Sequence, residues 1–125
     1  MVHELTSPLT THLVNTLRDS QSDALRFRQI VKTLAVLLAE AALGEEALQE
    51  KFLLTWQGER SFKLFDESEL LFVTVLRAGL PMLEAMADLF PKAQAGFLAI
   101  KRDEKTHESK LYYDRVPDCT GKHLI

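Results

Sequence analysis

The sequence has a single cysteine, Cys119, in 125 residues. One thiol cannot close an intramolecular disulfide, and no cysteine-rich zinc site can be built around it. A reducing, cytoplasmic setting is expected. Long apolar runs are missing too. The longest strongly apolar run is Leu70 to Val73, resumed by Val75 and Leu76 beyond Thr74, far short of the roughly 20 residues a membrane-spanning helix needs. The polar stretch Met1 to Thr11 contains no apolar h-region, so neither a signal peptide nor a membrane partner is expected. Neither sign of charge dominates. The formal net charge of -3 gives no basic face for nucleic acid, while a small anion needs only a few local cations. No internal repeat, low-complexity tract or linker is visible.

What is present has globular proportions: 46% apolar and 26% charged residues. The length is that of one domain, 1–125, which buries roughly two-thirds of its unfolded surface. Ser7-Pro8 predicts a helix start, serine capping free N–H groups and proline occupying the first helical position. Leu9, Leu13 and Leu17 continue it to about Arg18. After the polar break at Asp19 to Ser22, a second helix is predicted from about Asp23 to Leu43. Its core stripe is expected at Phe27, Ile30, Val31, Leu34, Leu38 and Ala41. Gly44 is expected in a left-handed C-terminal conformation, with a further turn over Glu45 to Gln49.

The periodicity then shifts to two. Phe52, Leu54 and Trp56 alternate with Leu53, Thr55 and Gln57, Gly58 lies in the middle, and Phe62 and Leu64 resume the pattern. This predicts a β-hairpin. Leu70 to Leu76 is the near-continuous apolar run of a parallel strand buried on both faces. A short helix follows Ala78-Gly79, with Leu80, Leu83, Ala87 and Phe90 expected on one face and Pro91 ending it. Strands are predicted at Gln94 to Lys101, at Leu111 to Val116 and from Lys122 to Ile125. The fold class is therefore α/β: two N-terminal helices, a β-hairpin and part of a parallel sheet.

Open α/β sheets bind ligands at the carboxyl ends of their strands, and Val75-Leu76-Arg77-Ala78-Gly79-Leu80 lies at such an end. Gly79 permits a tight turn and close backbone approach. A helix starting near Leu80 would aim free N–H groups at an anion, and Arg77 adds a planar cationic fork. The next parallel strand ends in Lys101-Arg102-Asp103, which brings Arg102 to the same edge. Two arginines beside a helix start suit a diphosphate, although Arg-Ala-Gly alone is a common triplet and equally fits a solvated strand end.

Other residues carry less. His12 on the first helix has no partner at metal-ligand spacing, and His107 lies in a polar turn. Asp103-Glu104 is an acidic pair of the kind that usually faces solvent, so no metal site is assigned. Cys119 has no evident histidine partner. Tyr112 and Tyr113 should point to opposite faces of their strand, one into the core and the other toward a partner subunit.

The order of segments resembles the uracil phosphoribosyltransferases. Ser7-Pro8-Leu9 with His12 and Leu17-Arg18-Asp19 is similar to their opening His-Pro-Leu element and Leu-Arg pair. Phe27-Arg28 with Leu37-Leu38-Ala39-Glu40-Ala41 is similar to their second helix. Val75-Leu76-Arg77-Ala78-Gly79-Leu80-Pro81-Met82 resembles the family's Ile-Leu-Arg-Ala-Gly-Leu-Gly-Met. Phe90-Pro91-Lys92-Ala93, Lys101-Arg102-Asp103-Glu104-Lys105-Thr106, Leu111-Tyr112-Tyr113 and Val116-Pro117 follow in order. The resemblance covers nearly the whole chain, least in the hairpin. It implies a type I phosphoribosyltransferase fold and the reaction of uracil with phosphoribosyl pyrophosphate to give UMP and pyrophosphate, with magnesium accompanying the pyrophosphate. It assigns Arg77, Ala78, Gly79 and Arg102 to phosphoribosyl pyrophosphate.

The departures are Ser7 for histidine, Thr74 for proline and Pro81 for glycine. The family's Asp-Pro-Met-Leu-Ala-Thr-Gly-Gly-Ser run would follow Ile125, and neither it nor the Gly-Asp-Ala-Gly segment that binds uracil is among these residues. The domain is thus expected to be incomplete, truncated before the phosphate loop. The chain alone is expected to be inactive, because the missing amides and acid orient the ribose phosphate. Uracil would bind only if that second part were supplied. The alternatives are a short non-catalytic module that keeps a pyrophosphate-binding or regulatory corner, and a structural domain with incidental arginines. Apolar surface left uncovered by such a truncation leads us to expect a homo-oligomer or a partner chain.

Overall fold

The computed structural model describes residues 2–125. Helix α1 spans Pro8–Leu17 and helix α2 spans Ala24–Leu43. Each starts where a side-chain oxygen satisfies an orphan amide. Ser7 Oγ accepts from the Thr10 N–H at 3.1 Å, and Asp23 Oδ1 accepts from the Arg26 N–H at 2.7 Å.

The face that α2 buries only partly matches the expected stripe: of that stripe Ile30 is buried and Val31 and Leu34 are half-buried. Ile30, Ala35, Ala39 and Leu43 are buried, whereas Phe27 and Leu38 are 49% and 47% exposed and Ala41 is exposed as well. Small alanines allow close approach to the neighbouring elements, so packing distance rather than side-chain bulk selects the face. Gly44 also differs from expectation. It is right-handed, at φ -61° and ψ -22°, and the chain leaves the helix through a Glu46 N–H to Leu43 C=O bond of 3.0 Å. A Cβ at Gly44 would stand 3.2 Å from the Glu40 carbonyl oxygen, so glycine relieves crowding there without reversing the chain. The extra turn is confined to these residues, because Gln49 already opens a strand.

Strands β1 (Gln49–Thr55) and β2 (Gly58–Leu64) form the antiparallel hairpin, with Thr55 opposite Gly58. Trp56 and Gln57 make the turn, and Gly58 follows at φ 97°, a positive value that favours glycine. The tip is pinned by Thr55 Oγ1, which donates to the Gly58 carbonyl at 2.8 Å. A short 3-10 turn at Glu67–Glu69, capped by Asp66, leads into β3 (Leu70–Leu76).

Helix α3 (Leu80–Leu89) connects β3 to β4 (Gln94–Arg102). Strands β5 (Ser109–Arg115) and β6 (His123–Leu124) complete a four-stranded sheet of order β5-β4-β3-β6. β3 is parallel to β4 on one side and to β6 on the other, and β5 is antiparallel to β4. The apolar run thus becomes the central strand, with Leu70, Leu71 and Phe72 buried.

The core is built on β3. Phe72 joins Ala35, Ala39 and Leu43 of α2 and Ala85 and Met86 of α3. Phe90 stacks on Phe72 with ring centroids 5.7 Å apart and meets Phe65 edge-on at 5.9 Å. Of the face expected for α3, Leu83 and Phe90 pack against the core, but Leu80 and Ala87 are exposed. The helix lies against α2 as well as β3, with Lys32 and Glu84 paired at 2.7 Å, which turns Ala85 and Met86 inward.

The β5–β6 connection crosses over β4 at Gly96. A Cβ there would stand 2.8 Å from Pro117 Cδ and 3.1 Å from Val116 Cα. Glycine at this position leaves room for the crossing chain.

Candidate functional site

The parallel register aligns Leu76 with Ala99, so β3 and β4 run out at the same edge of the sheet. Beyond Leu76, Arg77 and Ala78 line one side of an open cleft of about 710 Å³. Lys101 and Arg102 line the other, with Leu76, Ala99 and Ile100 between them and Tyr112 at the rim. The two arginines predicted to converge therefore do converge, and they face a common space.

The backbone of this corner differs from expectation in one respect. Helix α3 does not offer free N–H groups. The Leu80 N–H donates to the Arg77 carbonyl at 3.1 Å, Met82 and Leu83 both donate to the Gly79 carbonyl at 3.1 Å, and Pro81 has no N–H. In the preceding turn the Ala78 N–H has no partner among the described residues, and Ala78 lines the cleft.

Gly79 is also needed for a different reason from the one inferred from sequence. Its φ of -80° and ψ of -4° are open to any residue. A Cβ, however, would overlap the Thr74 Oγ1 outright and stand 3.1 Å from the Val75 carbonyl oxygen. The Gly79 N–H itself donates to that carbonyl at 3.0 Å. The turn is folded back on its own strand, and only glycine fits between.

Across the cleft, Arg102 is steadied by the turn that follows it. Its Nε donates to the His107 carbonyl at 3.4 Å. Asp103 organises the turn: its Oδ1 accepts from the Lys105 and Thr106 N–H groups, each at 2.8 Å. Those amides, Thr106 first, hold the Asp103 carboxyl below its ordinary value. His107 closes the turn at φ 60°. The Asp103 carboxylate is thus occupied by the backbone.

Tyr112 enters the site through an irregularity. β4 pairs Ala99 with Tyr113 and Ile100 with Leu111, which leaves Tyr112 unpaired in a β-bulge. The bulge breaks the alternation on which the tyrosine expectation rested. Neither ring is in the core: Tyr112 is 62% exposed and Tyr113 44%. Tyr113 stacks on Phe97 at 5.8 Å and accepts a 2.7 Å hydrogen bond from Arg115 Nε. Lys110 Nζ lies 5.6 Å from the centre of the Tyr112 ring. The charge of Lys101 was visible in the sequence as part of a Lys-Arg pair, but no signal there announced the bulge that places Tyr112.

The remaining candidates stand apart from the cleft. His12 is exposed on α1, and Cys119 is exposed with Sγ 3.4 Å from the Pro117 carbonyl oxygen. Among the described residues no group of three or more His, Cys, Asp or Glu side chains could hold a metal. No described helix is long and apolar enough to cross a membrane.

The family model described as uracil phosphoribosyltransferase matches residues 4–125. The chain belongs to the uracil phosphoribosyltransferase family. A uracil phosphoribosyltransferase of Aquifex aeolicus is 42% identical over 125 residues, which is 100% of this chain and 60% of that protein. One from Beutenbergia cavernae is 37% identical over 117 residues, 94% of this chain and 56% of its own. The solved structure of the AQ2163 protein from Aquifex aeolicus superposes with a TM-score of 0.91 at 43% identity, covering 99% of this chain and 60% of that one. The chain thus spans about three-fifths of the length of the uracil phosphoribosyltransferases it matches.

Magnesium, which membership of this family implies, is usually held by one or two carboxylates together with substrate phosphates. No carboxylate lines the cleft, and that of Asp103 is engaged by its own turn. The residues present do not make a magnesium site, and no step is routed through the ion.

Proposed function

We propose that this chain forms the pyrophosphate-binding corner of a uracil phosphoribosyltransferase, the enzyme that joins uracil to phosphoribosyl pyrophosphate and releases UMP and pyrophosphate. The observation that carries this reading is the convergence of Arg77, Ala78, Lys101 and Arg102 on one cleft at the carboxyl edge of β3 and β4. Arg77 and Arg102 are the anion-binding pair. The Ala78 N–H is the backbone donor, and Gly79 lets the turn lie close enough to present it. As the bond from ribose C1 to the diphosphate breaks, negative charge grows on the leaving oxygens, and fixed cations at that spot stabilise it. In water their effect would be modest, whereas an enclosed site would strengthen it.

Calorimetry with pyrophosphate tests the corner directly. Charge-assisted hydrogen bonds of this kind are worth roughly 1.5–3 kcal/mol, so Arg77→Ala or Arg102→Ala should weaken binding by about 10- to 100-fold. Failure of the unaltered chain to bind pyrophosphate would overturn the reading. Uracil is expected to bind only when the rest of such a fold is supplied.

These 125 residues alone are expected to form no UMP above a no-protein blank, because the cleft lining offers cations and a phenol but no acid for the ribose hydroxyls. That same lining favours a second reading, a pyrophosphate-binding module without transferase activity. Pyrophosphate binding that persists when the remaining part is supplied and still yields no UMP would favour it. We also propose self-association, since Phe52, Leu54 and Trp56 form an outward apolar stripe that is 72%, 89% and 92% exposed. A clean monomer in sedimentation at micromolar concentration would exclude it.

A further inference from the structure

Arg77, Lys101 and Arg102 line the cleft, and a fourth cation, Lys110, stands beside them on β5. Among the described residues the ion pairs join Lys32 with Glu84, Lys51 with Asp66 and His123 with Glu46. None reaches any of these four cations. In a chain of net charge -3 this end of the sheet is therefore locally basic. The acidic residues of the adjoining turn do not neutralise it. The Asp103 carboxylate is taken up by the Lys105 and Thr106 amides, and neither Glu104 nor Glu108 lines the cleft.

Lys110 belongs to none of the sequence motifs. In the ladder it stands directly opposite Lys101 of β4. Residues opposite each other in an antiparallel ladder project from the same face, with Cβ atoms about 4.5–5.5 Å apart, and like charges so placed repel. Two ammonium groups thus leave the sheet side by side, and one of them, that of Lys101, belongs to the cleft lining. The other is tied to the rim. Lys110 Nζ lies 5.6 Å from the centre of the Tyr112 ring, and Tyr112 lines the cleft. Attraction to the ring face draws the Lys110 head toward the cleft. An anion seated between the two ammonium groups relieves their repulsion.

A single phosphate is satisfied by Arg77, Arg102 and the Ala78 N–H, whereas a diphosphate spreads its charge over two phosphorus centres and needs cations farther out. We propose that Lys101 and Lys110 hold the outer phosphate of a bound diphosphate, so that Lys110 selects a diphosphate over a single phosphate. The proposal rests on the pyrophosphate-binding reading above and deepens it by naming the residue that reads the second phosphate.

Calorimetry at low ionic strength compares pyrophosphate with orthophosphate on the unaltered chain, on Lys110→Ala and on Lys92→Ala. Lys92 is exposed and loses the same charge at the other end of β4, just before Gln94. Lys110→Ala should weaken pyrophosphate binding by about fivefold, the upper end for an exposed ion pair, and orthophosphate binding by less than about twofold. Lys92→Ala should change neither, and added salt should shrink the Lys110 effect. Thermal unfolding gives a second readout. Without ligand, Lys110→Glu replaces repulsion by attraction across the ladder and should raise the midpoint, yet it should diminish the rise that pyrophosphate produces in the unaltered chain. Equal losses for the two anions, a loss matched by Lys92→Ala, or a midpoint lowered by Lys110→Glu would overturn the proposal. Pyrophosphate binding that is weakened by Arg77→Ala but indifferent to Lys110→Ala would overturn it alone. No pyrophosphate binding by the unaltered chain would overturn it together with the function proposed above.

Discussion

Replacing Gly79 by alanine separates two arguments that predict opposite signs. The residue has right-handed backbone angles, φ -80° and ψ -4°. On conformational grounds alone, alanine should stabilise the chain by roughly 0.4–1 kcal/mol through the unfolded state. Sterically, the new Cβ would overlap the Thr74 Oγ1 and stand 3.2 Å from Thr74 Cβ and 3.1 Å from the Val75 carbonyl oxygen. One of the two other χ1 wells of Thr74 puts Cγ2 where Oγ1 stood, and the remaining one still leaves the contacts with Thr74 Cβ and the Val75 carbonyl oxygen in place. Overpacking of this kind costs about 1–3 kcal/mol, which leaves a net loss of about 1–2 kcal/mol after the backbone gain. Thr74→Ala in the Gly79→Ala background removes the hydroxyl and should return part of that loss, with a coupling of about 1 kcal/mol in the cycle. Urea unfolding followed by circular dichroism at the helix band measures all four chains. Gly79→Ala as stable as the parent, or no coupling with Thr74, would refute the packing account of this turn.

Gly96→Ala should cost more, about 2–3 kcal/mol, because its Cβ meets Pro117 Cδ at 2.8 Å together with two backbone atoms of the crossing segment; chemical denaturation checks this. Asp103 gives a pH prediction. Its carboxyl is held below 3.8 by the Thr106 and Lys105 amides, so the order it confers on its turn is complete above that value and is lost as the pH falls through the lower, folded value. The protection of the Lys105 and Thr106 amides from hydrogen exchange, relative to their intrinsic rates at each pH, should therefore fall in acid, and Asp103→Asn should flatten that dependence. Trp56, at the tip of the hairpin and 92% exposed, should be strongly quenched by iodide in dilute solution, and the proposed self-association predicts its protection as the concentration rises.

The elements with local chemical causes were legible in the sequence. Ser7 and Asp23 mark helix starts because their oxygens bond specific amides. Gly58 marks the hairpin because its position demands a positive φ. The apolar run from Leu70 marks the central strand because its first residues, Leu70, Leu71 and Phe72, are buried there. What was not legible depends on distances between elements. The buried face of α2 is set by how closely Ala35 and Ala39 let it approach its neighbours. Gly44, Gly79 and Gly96 are glycine because of what lies next to them in space, not because of their own dihedral angles. The convergence of Arg77 and Arg102 followed from parallel pairing and was foreseen. The loss of donors at the start of α3 follows from Pro81 and from the way Arg77 and Gly79 carbonyls fold over the first turn, and the position of Tyr112 follows from a bulge that no alternation pattern contains.

The slender attachment of β6 has a consequence for how the molecule assembles and breathes. Two residues, His123 and Leu124, pair with a strand far earlier in the chain. They are held by the adjoining Ile125 amide and carbonyl bonds to Leu71 and Val73 and by His123 Nδ1, 2.9 Å from Glu46 Oε2. Closing so long a loop for so few contacts sets an entropic toll on the early stages of folding. The β3–α3–β4 unit can form first, since its contacts are local, and the C-terminal strand attaches last. Few bonds hold it in the folded chain, so the Ile125 amide is expected to exchange its hydrogen faster than the ladder amides between β3 and β4, and that difference would leave the corner with the two arginines undisturbed.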